Sequence, residues 1–209
     1  MKVILVNGSP HKEGCTYTAL KEVEKTLNHE GIDTEMFWIG LTPISGCSGC
    51  GICKKRGKCV HDDVVNQFVS KASDADAFVF GTPVHYASAS GAMTSFMDRV
   101  FYSGNSKGVF TYKPAATIIS ARRAGTTATY DQMNKYYGIS QMPIISSRYW
   151  NMVHGSNPSD VLKDEEGMQT MRILGRNMAY FLKCIEAGNK VGIKMPEKEI
   201  LMFTNFIRE

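Results

Sequence analysis

Several patterns that would assign a function at once are missing from this chain of 209 residues. It has no run of five or more like charges, and its formal net charge is only +4. No nucleic-acid partner is expected from so mild a balance. No stretch approaches the roughly 18–20 apolar residues that span a bilayer, so no membrane role is expected either. Met1-Lys2 lead straight into "VILV", which ends at Asn7-Gly8 and is too short for the apolar core of a secretory signal. A cytoplasmic setting is therefore expected. Thiols stay reduced there, and clustered cysteines are read as metal ligands or redox groups before disulfides. Internal repeats and low-complexity segments are also missing.

Apolar residues make up 43% of the chain and charged residues 21%, enough for a sizeable core and against disorder. Short apolar runs alternate with helical periodicity. Strands are expected at 2–7, 34–39, 77–83, 115–121 and 143–150. Helices are expected at 15–31, 62–73, 90–101, 126–138 and 164–188, with Gly167 and Gly175 weakening the middle of the last. Five strands alternating with five helices predict a doubly wound α/β domain, a parallel sheet covered on both faces. Its ligand should sit beyond the strand C-termini, in the loops at 8–15, 81–90 and 120–127. The domain should span 1–188, with a cysteine-rich insertion (42–61) after the second strand. The tail (189–209) carries Ile200, Leu201, Phe203, Phe206 and Ile207, too apolar for water. It is expected to fold back on its own sheet, or else to pack on a partner subunit.

The first loop, "NGSPHKEGCTYT" (7–18), joins a strand to a helix and offers backbone amides with the hydroxyls of Ser9, Thr16 and Thr18. That combination seats a phosphate. It is not a P-loop: Gly8 to Gly14 is one residue too long and Cys15 stands where lysine is needed. Nor does this loop contain the G-x-G of a dinucleotide fingerprint. A hydroxyl-rich seat without that lysine suits a phosphomonoester held without metal, such as the phosphate of FMN. An ordinary βα turn is the plainer alternative. In "GTPVHYASASG" (81–91), Pro83 and Gly91 bracket a rigid loop whose backbone near Val84–Tyr86 could meet the edge of a flat heterocycle, with His85 or Tyr86 against its face. In "SARRAGTT" (120–127), Arg122 and Arg123 are either a counter-charge for reduced flavin, a contact for a nicotinamide-cofactor phosphate, or solvated loop residues.

The first loop resembles the phosphate loop of the NADPH-dependent FMN reductase family, a flavodoxin-like group whose usual pattern is G-S-P-R-x-x-G-N-T. Ser9, Gly14 and Thr16 match; His11 replaces the arginine and Cys15 the asparagine. "GTPV" with Asp98-Arg99 in the following helix also matches, while Thr94 stands where many relatives have lysine. The resemblance runs from residue 1 to roughly 188 and implies a flavodoxin-like five-stranded sheet of order 2-1-3-4-5. It implies FMN held by Ser9, His11, Gly14, Cys15, Thr16 and Tyr17, by Pro83, Val84, His85 and Tyr86, and by Ser120, Arg122, Arg123 and Gly125. No catalytic acid or base is implied. NAD(P)H would be the co-substrate and a small molecule (quinone, nitro or azo compound, or free flavin) the electron acceptor. Asp98 and Arg99 are read as a structural helix pair. Trp150 and His154 in "RYWNMVHG" could line the substrate side, although Trp150 is expected in the core.

"CSGCGICKKRGKC" (47–59) holds four of the six cysteines. Its C-x2-C-x2-C start is that of ferredoxin-type sites, whereas structural zinc usually takes two separated pairs of ligands. Lys54, Lys55, Arg56 and Lys58 would offset the charge of a thiolate-bound cluster. The segment resembles the compact motif of iron–sulfur flavoproteins, a branch of the same group. That resemblance implies Cys47, Cys50, Cys53 and Cys59 as [4Fe-4S] ligands and ferredoxin as a partner, with FMN and cluster on neighbouring subunits of a homodimer or homotetramer. Other relatives carry similar cysteines, followed by the "DD" seen here at Asp62-Asp63, with no evident cluster. Empty or disulfide-paired cysteines therefore stay open, as does a flavin-binding redox sensor that is not an enzyme. Cys15 and Cys184 are expected as ordinary buried thiols.

Overall fold

The computed structural model describes residues 1–197 together with Glu199, Ile200, Met202 and Thr204. Strands β1 (Lys2–Asn7), β2 (Asp33–Trp38), β3 (Ala77–His85), β5 (Ala115–Ala121) and β6 (Met152–His154) form a parallel sheet in the order β2-β1-β3-β5-β6. This is the expected 2-1-3-4-5 order once the two-residue strand β4 (Ser88–Ala89), which pairs antiparallel with the end of β3, is set aside. Alternate residues of β1 serve two cores. Ile4 and Val6 face a cluster with Phe68, Phe80 and Phe96; Val3 and Leu5 face one with Leu20, Met171 and Leu174. Burial on both faces is why β1 and β3 read as unbroken apolar runs.

The helices are α1 (Cys15–His29), α2 (Ile52–Arg56), α3 (Val64–Ala72), α4 (Gly91–Asn105), α5 (Thr126–Ile139), α6 (Pro158–Lys163) and α7 (Glu165–Lys190). In α7, Gly175 lies where an added Cβ would stand 2.8 Å from Thr26 Cβ, so its glycine permits the close approach of α1. Gly167 similarly faces the Asp164 carboxylate that caps α7. Helix propensity alone favours alanine at position 175 by about 1 kcal/mol, but overpacking a core costs about 1–3 kcal/mol. Gly175→Ala should therefore lower the melting temperature, by about 2–4 °C for each kcal/mol lost; a rise in a thermal melt would contradict this packing account.

Four expectations need correction. The strand expected at 143–150 is broken: Pro143 and Ile145 pair with Ala115, residues 146–150 leave the sheet, and the chain rejoins at Asn151, whose carbonyl accepts from the Ile119 amide, and Met152, opposite Ile119. At a sheet edge one side needs no partner, so such a detour is tolerated. Trp150, expected in the core, is 48% exposed on that detour and packs against Tyr149. Cys184 is exposed on α7 rather than buried, and Cys15 is half-buried. The tail does not fold onto the sheet among its described residues: the Ile193 amide donates to Gly188 at the end of α7, and Val191, Ile193 and Met195 are exposed. Leu201, Phe203, Phe206 and Ile207 lie outside the described residues.

Candidate functional site

The loops after β1, β3 and β5 share the C-terminal edge of the sheet, and hydrogen bonds tie them together. The Gly8 amide donates to the Gly81 carbonyl at 2.8 Å, and the Ser90 hydroxyl donates to the Gly8 carbonyl at 3.0 Å. The hydroxyls of Thr16 and Ser120, both buried, share a hydrogen bond of 2.8 Å. A Cβ on Gly8 would stand 2.5 Å from Met93 Sδ and 3.0 Å from the Gly81 carbonyl. One on Gly125, at φ +92, would meet Val84. Both glycines are therefore required by close approach of their neighbours.

Helix caps show where this edge is left open. Side chains cap α3 (Asp63), α4 (Ser90), α6 (Asn157) and α7 (Asp164). Helices α1 and α5 begin at Gly14 and Gly125 with no side-chain cap and no acidic residue in the first turn. Uncapped amides and the helix dipole favour an anion. These two helix starts close the loops where sequence placed the phosphate and the pyrimidine side of a flavin. Ser9 is buried; its amide donates to Asn7 Oδ1, and its hydroxyl accepts from the His11 amide. The hydroxyl hydrogen of Ser9 is left to donate into the seat. The His11 side chain is exposed, Gly14, Cys15 and Tyr17 are half-buried, and the Cys15 thiol, which burial pushes up in pKa, points at the Gly155 carbonyl.

Pro83 and Val84 are half-buried, and His85 and Tyr86 lie exposed at the turn between β3 and β4. Tyr86 sits at φ +57, a region that costs a non-glycine residue about 1–2 kcal/mol. A strained, exposed aromatic at a loop tip is a functional pointer. Arg122 and Arg123 are exposed beside Gly125. Sequence reasoning missed Asn7, whose side-chain amide also donates to the Lys12 carbonyl, and Trp38, whose indole N–H donates to the Ser9 carbonyl at 2.8 Å. Both stand at the C-terminal ends of parallel strands, which is the signal that could have found them.

The cysteine insertion docks on α4, away from that edge. Ser90 caps α4 and Arg99 lies nine residues further on, roughly 14 Å along the axis. Glycines at φ +69 and +67 bracket α2. Cys47, Cys50, Cys53 and Cys59 line one small cavity closed by Arg99, Tyr102 and Ser103 of α4. Burial raises the Cys53 pKa, and the charges of Cys59, Cys47 and Cys50 add to the rise. The Cys50 thiol is lowered by hydrogen bonds from the Ile52 amide and the Ser48 hydroxyl. Burial and like charge disfavour a thiolate at Cys53, and bound iron would offset both. Among the described residues no three His, Cys, Asp or Glu side chains converge on a point that would hold a metal ion. Four cysteine sulfurs lining one cavity are the donor type that iron–sulfur clusters take.

Asp98 and Arg99, expected as a pair with each other, part ways. Asp98 accepts from the Tyr136 hydroxyl, whereas Arg99 is 2% exposed and bonds Asp63 and Cys59. Burial disfavours the Arg99 charge, but Asp63 and Cys59 outweigh it and hold the guanidinium protonated.

No helix of the described residues is long and apolar enough to cross a membrane. Among curated proteins, an iron–sulfur flavoprotein of Methanocaldococcus jannaschii is 30% identical over 197 residues, covering 89% of this chain and 100% of that protein. Among solved structures, an NAD(P)H:acceptor oxidoreductase flavoenzyme from Paracoccus denitrificans superposes with a TM-score of 0.64 at 15% identity, covering 88% of this chain and 97% of its own. An archaeal flavodoxin gives 0.61 at 14% identity, covering 88% and 99%. These likenesses establish the flavodoxin-like fold. The model of NADPH-dependent FMN reductases matches residues 1–157, so the chain belongs to that family of FMN-dependent flavoprotein oxidoreductases.

Proposed function

We propose that this oxidoreductase carries two redox centres, FMN at the sheet edge and a [4Fe-4S] cluster on Cys47, Cys50, Cys53 and Cys59. The single observation behind the second centre is that all four cysteines line one cavity on α4. When bound, FMN supplies hydride or single-electron chemistry and a cluster supplies single electrons only. Ser9, Gly14, Thr16 and the first amides of α1 would hold the phosphate, with His11, Cys15 and Tyr17 at its rim. Pro83, Val84, His85 and Tyr86 would support the ring. Ser120 and Gly125 would border its pyrimidine side. The two centres would exchange electrons between neighbouring copies in a homodimer or homotetramer. Exposed Val191, Ile193 and Met195 would help form that contact.

A second reading keeps FMN and leaves the cysteines empty, with NAD(P)H as donor and a quinone, nitro or azo compound, or flavin as acceptor. Exposed Arg122 and Arg123 favour it, since a nicotinamide-cofactor phosphate could meet them there. Anaerobic purification followed by reduction with NADH, NADPH or reduced ferredoxin separates the readings. Ferredoxin-driven bleaching with iron present supports two centres. NAD(P)H turnover without iron supports the simpler enzyme, and no turnover with any donor and acceptor favours a sensor.

Tyr86 allows a direct check of the flavin seat. Aromatic stacking contributes about 0.5–1.5 kcal/mol beyond its buried area. Tyr86→Gly should therefore weaken FMN binding by about two- to tenfold, while relief of the positive φ keeps the melting temperature within about 3 °C. Unchanged affinity in a flavin-fluorescence titration would remove Tyr86 from the seat.

A further inference from the structure

The exposed cations of the cysteine loop are not the ones placed to act on the thiolates. Lys54, Lys55, Arg56 and Lys58 are all exposed, where solvent and salt screen them. Arg99 is different: its side chain is 1% exposed and it reaches the loop from α4. Nε and Nη2 each donate to Cys59 Sγ at 3.3 Å. Nη1 and Nη2 donate to the two Asp63 carboxylate oxygens at 2.7 and 2.9 Å. The same two nitrogens approach the Ser45 and His61 carbonyls, each at 3.4 Å. Ser45 lies two residues before Cys47 and His61 two residues after Cys59, so one guanidinium holds both ends of the cysteine loop. Asp63 is itself fixed, because its Oδ1 accepts from the Val65 amide as the cap of α3. Asn66 pins Cys59 from the backbone, accepting from its amide and donating to its carbonyl.

We propose that Arg99, oriented by Asp63, is the positioning residue of the four-cysteine site: it fixes the Cys59 sulfur and raises the reduction potential of a cluster bound there. The inference rests on the two-centre reading above. An added electron increases the negative charge of a cluster. A buried cation and two N–H···S hydrogen bonds stabilise that reduced state more than the oxidised one, and both are known levers on cluster potential. Only a planar fork can serve the sulfur and the carboxylate at once; a lysine keeps the charge but not the geometry.

The test uses anaerobically purified full-length protein and measures FMN, iron, acid-labile sulfide and the cluster potential by EPR-monitored titration. Arg99→Lys should keep FMN while the potential shifts to more negative values or the iron falls by at least half. Asp63→Asn, which leaves Arg99 and every cysteine in place, should shift it the same way by less. Variants matching wild type in both iron and potential would overturn the proposal. Loss of FMN, iron and cooperative melting together in both variants would also overturn it, reducing Arg99 to a structural residue. Wild type with FMN but fewer than about one iron per chain would refute the cluster reading itself and this inference with it.

Discussion

Cys53→Ser is expected to strip iron from the chain and leave FMN in place, with iron falling from about four per chain to fewer than one. The sulfur of Cys53 is the buried member of the set, 7% exposed, and stands against α4 near the Tyr102 carbonyl. Serine nearly matches its size, but a neutral hydroxyl at pH 7 is a poor ligand for the soft iron of a cluster. The backbone of Cys53 is held independently, since its carbonyl accepts from the Gly57 amide and the Ser106 hydroxyl. The fold should therefore survive, and retained FMN reports that it has. Cys184→Ser, on the outer face of α7, is the matched control and should change neither count. Iron and sulfide analysis beside the flavin spectrum reads the result. A Cys53→Ser protein with undiminished iron would remove Cys53 from the ligand set.

The second large effect is expected at the phosphate. Ser9→Ala with Thr16→Val removes both buried hydroxyls of the first loop. A hydrogen bond to a charged group contributes about 1.5–3 kcal/mol, so the pair should weaken FMN binding by roughly 10²- to 10⁴-fold. The Thr16 change also frees the hydroxyl of Ser120, a residue 3% exposed whose side chain has no other hydrogen bond among the described residues. The site should therefore lose its link between the first and third loops. Ser90→Ala makes an informative comparison. Ser90 caps α4 and braces Gly8 from outside the seat, so its loss should lower stability by about 1 kcal/mol with a smaller effect on affinity. Titrating apo-protein with FMN by fluorescence quenching measures all three. Affinity within threefold of wild type in the double variant would mean the phosphate is held elsewhere.

The sheet was legible because its central strands are buried on both faces. Residues 2–7, 77–83 and 115–121 are apolar runs of strand length between turn signals, and a parallel sheet then dictated which loops share an edge. Legibility failed at the periphery. Residues 143–150 look like a strand, but at the edge the chain touches Ala115, swings out through Trp150 and returns at Asn151 and Met152. Apolar content carries no record of that detour. The β3–β4 hairpin was missed because Tyr86-Ala87 is no standard turn pair and a tyrosine at positive φ is not expected from sequence. The three loops of the C-terminal edge were readable as local motifs, and hydrogen bonds join them there. Arg99 was not, because its partners Asp63 and Cys59 lie 36 and 40 residues away in sequence. The expected neighbour pairing with Asp98 followed from adjacency alone, although successive residues on a helix point in different directions.

The most direct measurement is the ratio of iron and acid-labile sulfide to FMN in protein purified without oxygen. One flavin with about four irons and four sulfides per chain is the predicted result. Stoichiometric FMN with fewer than about one iron per chain would contradict the two-centre account and leave a flavin-only oxidoreductase with unoccupied cysteines.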